Sequence, residues 1–242
     1  MLPNHNVDTA TIISSRWPLF TELPKPVTDA LAVFEEAGYA QEPFDGIDPD
    51  KVTTGNVEAT IIQLAETIAA KEKFFQSRNY VRNLLARNVV FAGAEAAPEM
   101  LAAKRAEFDS AAERFIESVD QLPETLTSET LVNGGPAVLA AYQEALASQA
   151  VIMAFDQWLA TLSNLPGMAY QTEPYLRVLK PADADDLYAL ENANRDQLQL
   201  VPFLVAAARL GIEFEPHTPR EIAELRADIE SRPATDRQIK FN

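Results

Sequence analysis

The chain reads as all-α: a helical bundle built on a long antiparallel helical hairpin, with an extended N-terminal arm and a C-terminal tail. Three observations lead there. Residues 54–92 keep a helical period without a proline, residues 98–122 repeat it, and residues 137–162 carry only two charges, Glu144 and Asp156. The expected layout is an arm over 1–26, one helical domain over 27–232, and a tail over 233–242.

The arm expectation rests on Pro3, Pro18, Pro24 and Pro26, which oppose a continuous helix. Ile12, Ile13, Trp17, Leu19 and Phe20 are too apolar for a solvated tail, so the arm must dock on its own body or on a neighbouring subunit. A short helix follows, with Thr28 suited to its N-cap, Leu31, Phe34 and Ala37 on one face, and Gly38 suited to its end. Residues 39–52 read as an acidic turn region. The hairpin over about 54–122 has a stripe at Ile61, Leu64, Ala65 and Ile68, resumed by Leu84, Leu85, Val89 and Phe91. Gly93 and Pro98 mark the expected reversal, and Leu101, Phe108, Ala112, Phe115, Val119 and Leu122 stripe the return helix.

Gly134-Gly135 closes a loop, and Pro136 opens a helix to about 163. A helix so apolar on most sides belongs in the middle of the structure. Tyr175–Leu179 reads as a brief strand. A helix over about 183–211 is striped by Leu187, Leu190, Leu198, Val201, Val205 and Ala208, kinked at Pro202 and ended by Gly211. The last helix, about 218–232, opens with a capping box of Thr218 and Glu221. No repeat recurs at a solenoid period.

Charge narrows the function classes. The 36 acidic and 20 basic residues give a net charge of -16. Residues 1–52 hold nine acids against three bases, 181–242 hold twelve against seven, and 53–122 are near balance at ten against eight. Such a chain repels nucleic acid and anionic membrane at long range, so neither is expected as a partner. Without cysteine there is no disulfide, thiolate metal site or cysteine nucleophile. The start lacks the basic and apolar regions of a signal peptide, and stretches such as Ala145–Phe155 are short for a bilayer span. The expected location is the cytoplasm, or a particle assembled there.

Motifs for chemistry are missing. His5 and His217, the only histidines, belong to no metal-binding spacing. Asp48 and Asp50 match the opening of a calcium loop, but Thr53 and Ala59 stand where glycine and glutamate are needed. No phosphate-binding glycine loop or nucleophile elbow occurs. Asp183, Asp185 and Asp186 fit helix capping. Glu144 and Asp156 could do acid–base work if buried, or could sit on one wet edge. No cofactor, metal or small-molecule ligand is expected.

One basic face stands out. Lys71, Arg78 and Arg82, with Phe75 beside them, continue the Ile61–Leu64–Ile68 stripe where an apolar seam would be expected. A break near Ser77–Asn79 could turn them out, their stems could pack while their heads reach water, or they could meet acidic groups or phosphate. Asn194, in line with the 187–208 stripe, faces solvent or fixes register.

The resulting expectation is a non-enzymatic structural or adaptor subunit of a larger assembly, with a virus or phage particle as the leading case. Its partners would be other subunits or further copies of itself, met through the arm, the tail and the Lys71–Arg82 face. An acidic helical module covering a basic partner surface is the alternative. An enzyme using buried carboxylates ranks third.

Overall fold

The computed structural model describes residues 5–41, 48–168 and 173–231. These residues form eight α-helices and one two-stranded sheet: α1 (His5–Phe20), α2 (Lys25–Tyr39), α3 (Val57–Asp120), α4 (Ser128–Asn133), α5 (Gly135–Leu162), β1 (Leu179–Lys180), α6 (Ala184–Glu191), α7 (Pro202–Leu210), β2 (Glu213–Phe214) and α8 (Pro219–Ser231). The chain is mostly helical, as its periodicity requires. It divides into two compact units, Met1–Glu95 and Ala96–Asn242.

In the first unit the expected extended arm is instead helix α1. Pro18 falls in its last turn, and Pro24 and Pro26 fall at the entry to α2, where a missing N–H is tolerated. The arm's prolines therefore bound helices rather than prevent them. Thr9, Ala10, Ile13 and Trp17 form the buried face of α1. Ile13 and Trp17 lie against Gly93 of α3, where an added Cβ would meet Ile13 Cδ1 at 3.0 Å and Trp17 Cη2 at 3.3 Å. Helix α2 starts earlier than Thr28, whose hydroxyl instead donates to the Lys25 carbonyl. Its Val27, Leu31 and Phe34 are buried, and Ser14 of α1 donates to Glu35 of α2 at 2.6 Å.

The reversal expected at Gly93–Pro98 does not occur, because α3 runs unbroken from Val57 to Asp120. Gly93 is there for close approach, not for a turn. Pro98 removes one helical hydrogen bond, at a cost of about 3 kcal/mol. Buried Ala96, Ala97, Met100 and Leu101 on either side of it offset that cost.

In the second unit α5 is central but one-sided. Its Phe155 meets Phe108 of α3 edge-on, with ring centroids 5.1 Å apart. Its other side, with Gln143, Glu144, Ala147, Ala150, Ala154 and Gln157, is exposed, which corrects the expectation of burial on most sides. By length and composition α5 alone among the described helices could cross a bilayer; apart from Leu139, its exposed side chains are small or polar. β1 pairs antiparallel with β2, and Phe214 packs near Phe115 with centroids 5.9 Å apart. The expected strand at Tyr175–Leu179 is mostly a 3-10 turn over Tyr175–Arg177.

The single helix expected over 183–211 is two, α6 and α7. Pro202 biases Val201 to extended backbone (φ -71°, ψ 119°). Asn194 Oδ1 captures the Asp196 amide at 3.0 Å, so this exposed asparagine makes a local turn. Gly211 ends α7 in the left-handed conformation (φ 71°). Before α8, Thr218 and Glu221 form the expected reciprocal cap: Thr218 N donates to Glu221 Oε2 at 2.7 Å, and Glu221 N to Thr218 Oγ1 at 3.4 Å. The tail over 233–242, including Gln238–Asn242, lies outside the described residues.

Trp17 is fully buried in the first unit, so Trp17→Ala should cost about 3–5 kcal/mol. Urea unfolding followed by circular dichroism checks this. A loss below about 1 kcal/mol would mean that α1 is not part of that core.

Candidate functional site

Helix α3 changes character along its length. From Val57 to Leu85 none of its residues is buried, and Ala86 is the first that is. Yet this stretch has the spacing of a packed seam. Val57, Ile61, Leu64, Ile68, Lys71, Phe75, Arg78, Arg82, Leu85 and Val89 follow one another at strict steps of four and three, the pattern of a coiled-coil contact line. Val57, Ile61, Leu64 and Ile68 are 44 %, 62 %, 43 % and 58 % exposed.

The far end of the line is covered by the chain itself. The Arg82 guanidinium lies 4.9 Å from the Phe34 ring centre, and its Nε is buried without a hydrogen-bond partner. Arg78 lies 4.9 Å from the Phe75 ring centre and donates from Nη1 to the Ala40 carbonyl at 3.3 Å. No break at Ser77–Asn79 turns the cations outward. Arg82 lays its flat head on Phe34 of α2, and Arg78 lays its own on Phe75 of the same helix. Lys71 and Phe75 are exposed. An open groove of about 560 Å³ is lined by Ala32, Val33, Glu36, Ala37 and Ala40 on the α2 side and by Leu85 of α3.

The arm residues separate. Ile13 and Trp17 are buried, Ile12 and Phe20 are half-buried, and Leu19 is exposed. Helix α1 thus spends its largest side chains on α3 of the same chain.

The second unit holds two polar clusters that residue spacing does not reveal. Asp156, buried on α5, takes two hydrogen bonds from Arg177, Nε to Oδ1 at 2.7 Å and Nη2 to Oδ2 at 3.2 Å. Glu144 stays on the wet side, 3.5 Å from Arg114. The two acids weighed for acid–base work therefore sit on different sides of α5, each beside an arginine. Glu215 gathers Lys180 at 2.8 Å, Arg105 at 3.4 Å and His217 at 3.5 Å. The buried His217 also places Nδ1 3.1 Å from the Leu176 carbonyl. Burial holds the His217 imidazole below its ordinary range, against the pull of Glu215. Burial alone would raise Glu215, but the Lys180 hydrogen bond and the charges of His217, Lys180 and Arg105 bring it below the usual carboxylate range. Tyr175 donates to Glu191 at 2.8 Å; burial and that bond push its hydroxyl up to about 12.

These clusters tie loops to helices. Among the described residues no three histidine or carboxylate side chains gather as a metal site would require. No protein-family model, curated protein or solved structure matches the chain.

Two outcomes follow. Asp156→Asn leaves Arg177 buried without its countercharge and should cost about 3–5 kcal/mol, whereas Asp156→Leu combined with Arg177→Met should recover most of it. Equilibrium unfolding of the three proteins checks this; equal losses in the single and double variants would contradict it. Both shifts at His217 and Glu215 leave the folded state with fewer bound protons than the unfolded chain. Stability should therefore decline as pH falls below about 6.5, and again below about 4.5. His217→Gln should remove the first decline in a pH series of unfolding curves, and an unchanged slope would contradict that assignment.

Proposed function

We propose that this protein is a structural or adaptor subunit of a larger protein assembly, docking through the first part of α3. The observation carrying this reading is the bare, charge-poor stripe Val57–Ile61–Leu64–Ile68. Over residues 57–70 the only charged side chains are Glu58 and Glu66, an unusual composition for a helix surrounded by solvent on all sides. A helical stretch without tertiary packing is marginal in water, since most helix stability in proteins comes from a buried face. A partner over the stripe supplies that face.

The second part of α3 supports the same reading. Where the line continues past Arg78, helices α2 and α1 lie over it, so the spacing is used for packing within this chain. The assembly proposed is a protein particle, with a virus or phage particle as the leading case. The alternative, an acidic module covering a basic partner, draws on the net charge of -16. It calls for binding that weakens steeply with salt, whereas docking through an apolar stripe does not.

The test uses the tagged full-length chain in extracts of cells producing its assembly. The wild type should elute far above its own 26.7 kDa, and Ile61→Glu with Ile68→Glu should return it to monomer size while its helical content is kept. Monomer-sized elution of both proteins would overturn the reading.

A further inference from the structure

We infer that the occupant of the bare stripe is a second copy of this chain, its Val57–Lys71 segment running antiparallel to the first. This rests on the docking role proposed above and names the partner.

Charge points to a like copy. Two chains of net charge -16 repel over most of their surface, so they can meet only where acid is scarce. Along the stripe the acids are Glu58 and Glu66, and Glu66 lies on the side of the helix away from the seam. The positions flanking the seam are Glu58, Thr60, Ala65 and Thr67. In coiled coils those positions carry the charges that select a different partner. Here Thr60, Ala65 and Thr67 are small and neutral, leaving close approach open, and the one charge, Glu58, accepts a second copy where a cation of that copy meets it.

Direction follows from the cations. A parallel, in-register pair would stack Lys71 on Lys71, and Arg78 on Arg78 beyond it. The antiparallel pair avoids both. Its layers are Val57 on Ile68 and Ile61 on Leu64, each made twice by the two-fold axis, because such coils set alternate seam positions opposite one another. Every layer is then wholly apolar. The same register carries Lys71 of each copy past the end of the apolar layers, beside Glu58 of the other. In this register Lys71 of one copy stands opposite residue 54 of the other, ahead of the start of α3 at Val57, so the helix overlap ends short of the portion of the line that α2 covers.

The chain has no cysteine, so introduced thiols report the register alone. Full-length Val57→Cys and Ile68→Cys proteins are purified, checked for helical content, and treated with a short thiol crosslinker separately and mixed. Both positions are exposed, so neither change should disturb the fold. In the antiparallel pair Val57 and its counterpart lie eleven residues apart along the coil, about 16 Å. The expected result is a crosslinked dimer in the mixture and none in either protein alone, with yield rising in salt as like-charge repulsion is screened. Self-crosslinking of Val57→Cys would overturn the antiparallel register. No crosslink in any sample, with a wild-type chain that scatters light as a monomer, would overturn self-pairing. The docking role fails separately: it falls if the wild-type chain elutes at monomer size from cell extracts, or if the glutamate variant leaves the native assembly there unchanged.

Discussion

The structure depends on the uninterrupted α3 helix, and α3 depends on a seam that is packed along part of its length and bare along the rest. Within the first unit the seam takes Phe34 from α2 against Arg82, and beyond it Gly93 admits the Ile13 and Trp17 side chains of α1. Within the second unit the same helix offers Phe108 to α5 and Phe115 to β2. Only the stretch before Leu85 lacks a buried residue, although its spacing is as regular as that of the packed parts. A pattern that specifies packing in one part of a helix and is left open in another implies that the packing is completed by something else.

The helical class, the boundaries of α5 and α8, the Thr218–Glu221 cap and the Gly211 stop were legible because each follows from a local rule: period, cap or left-handed terminus. The hairpin was not. Gly93 and Pro98 are the residues that a turn uses, but here one makes room for an indole and the other is carried by the apolar burial around it. That distinction depends on what packs nearby, which a local pattern does not contain. The N-terminal helix was hidden for the mirror-image reason: prolines oppose a helix interior, but Pro18, Pro24 and Pro26 stand at helix ends, which helices accept. Past Asn192 local chemistry did decide, through Asn194 and Pro202, but the longer apolar stripe outweighed it in the reading.

The candidate surface was half legible. The line from Ile61 to Leu85 was visible as one face, and its cations were visible as an anomaly on it. Which stretch would be covered from within was not, because the covering residues, Phe34 and Ala40, come from another element. The Asp156–Arg177 pair and the Glu215 cluster were out of reach for the same reason, since both join residues far apart in the chain. They show how a strongly acidic protein can withdraw carboxylates from water: the buried Asp156 and the half-buried Glu215 each meet a cation at hydrogen-bonding distance.

Amide hydrogen exchange over residues 57–71 of the full-length chain, followed across a dilution series, tests the central claim most directly. If the stripe is a docking surface used by a second copy, these amides should be protected at high concentration and should exchange faster as the chain is diluted, while those of α5 stay constant. Rapid exchange at every concentration, as in a bare fraying helix, would contradict the account.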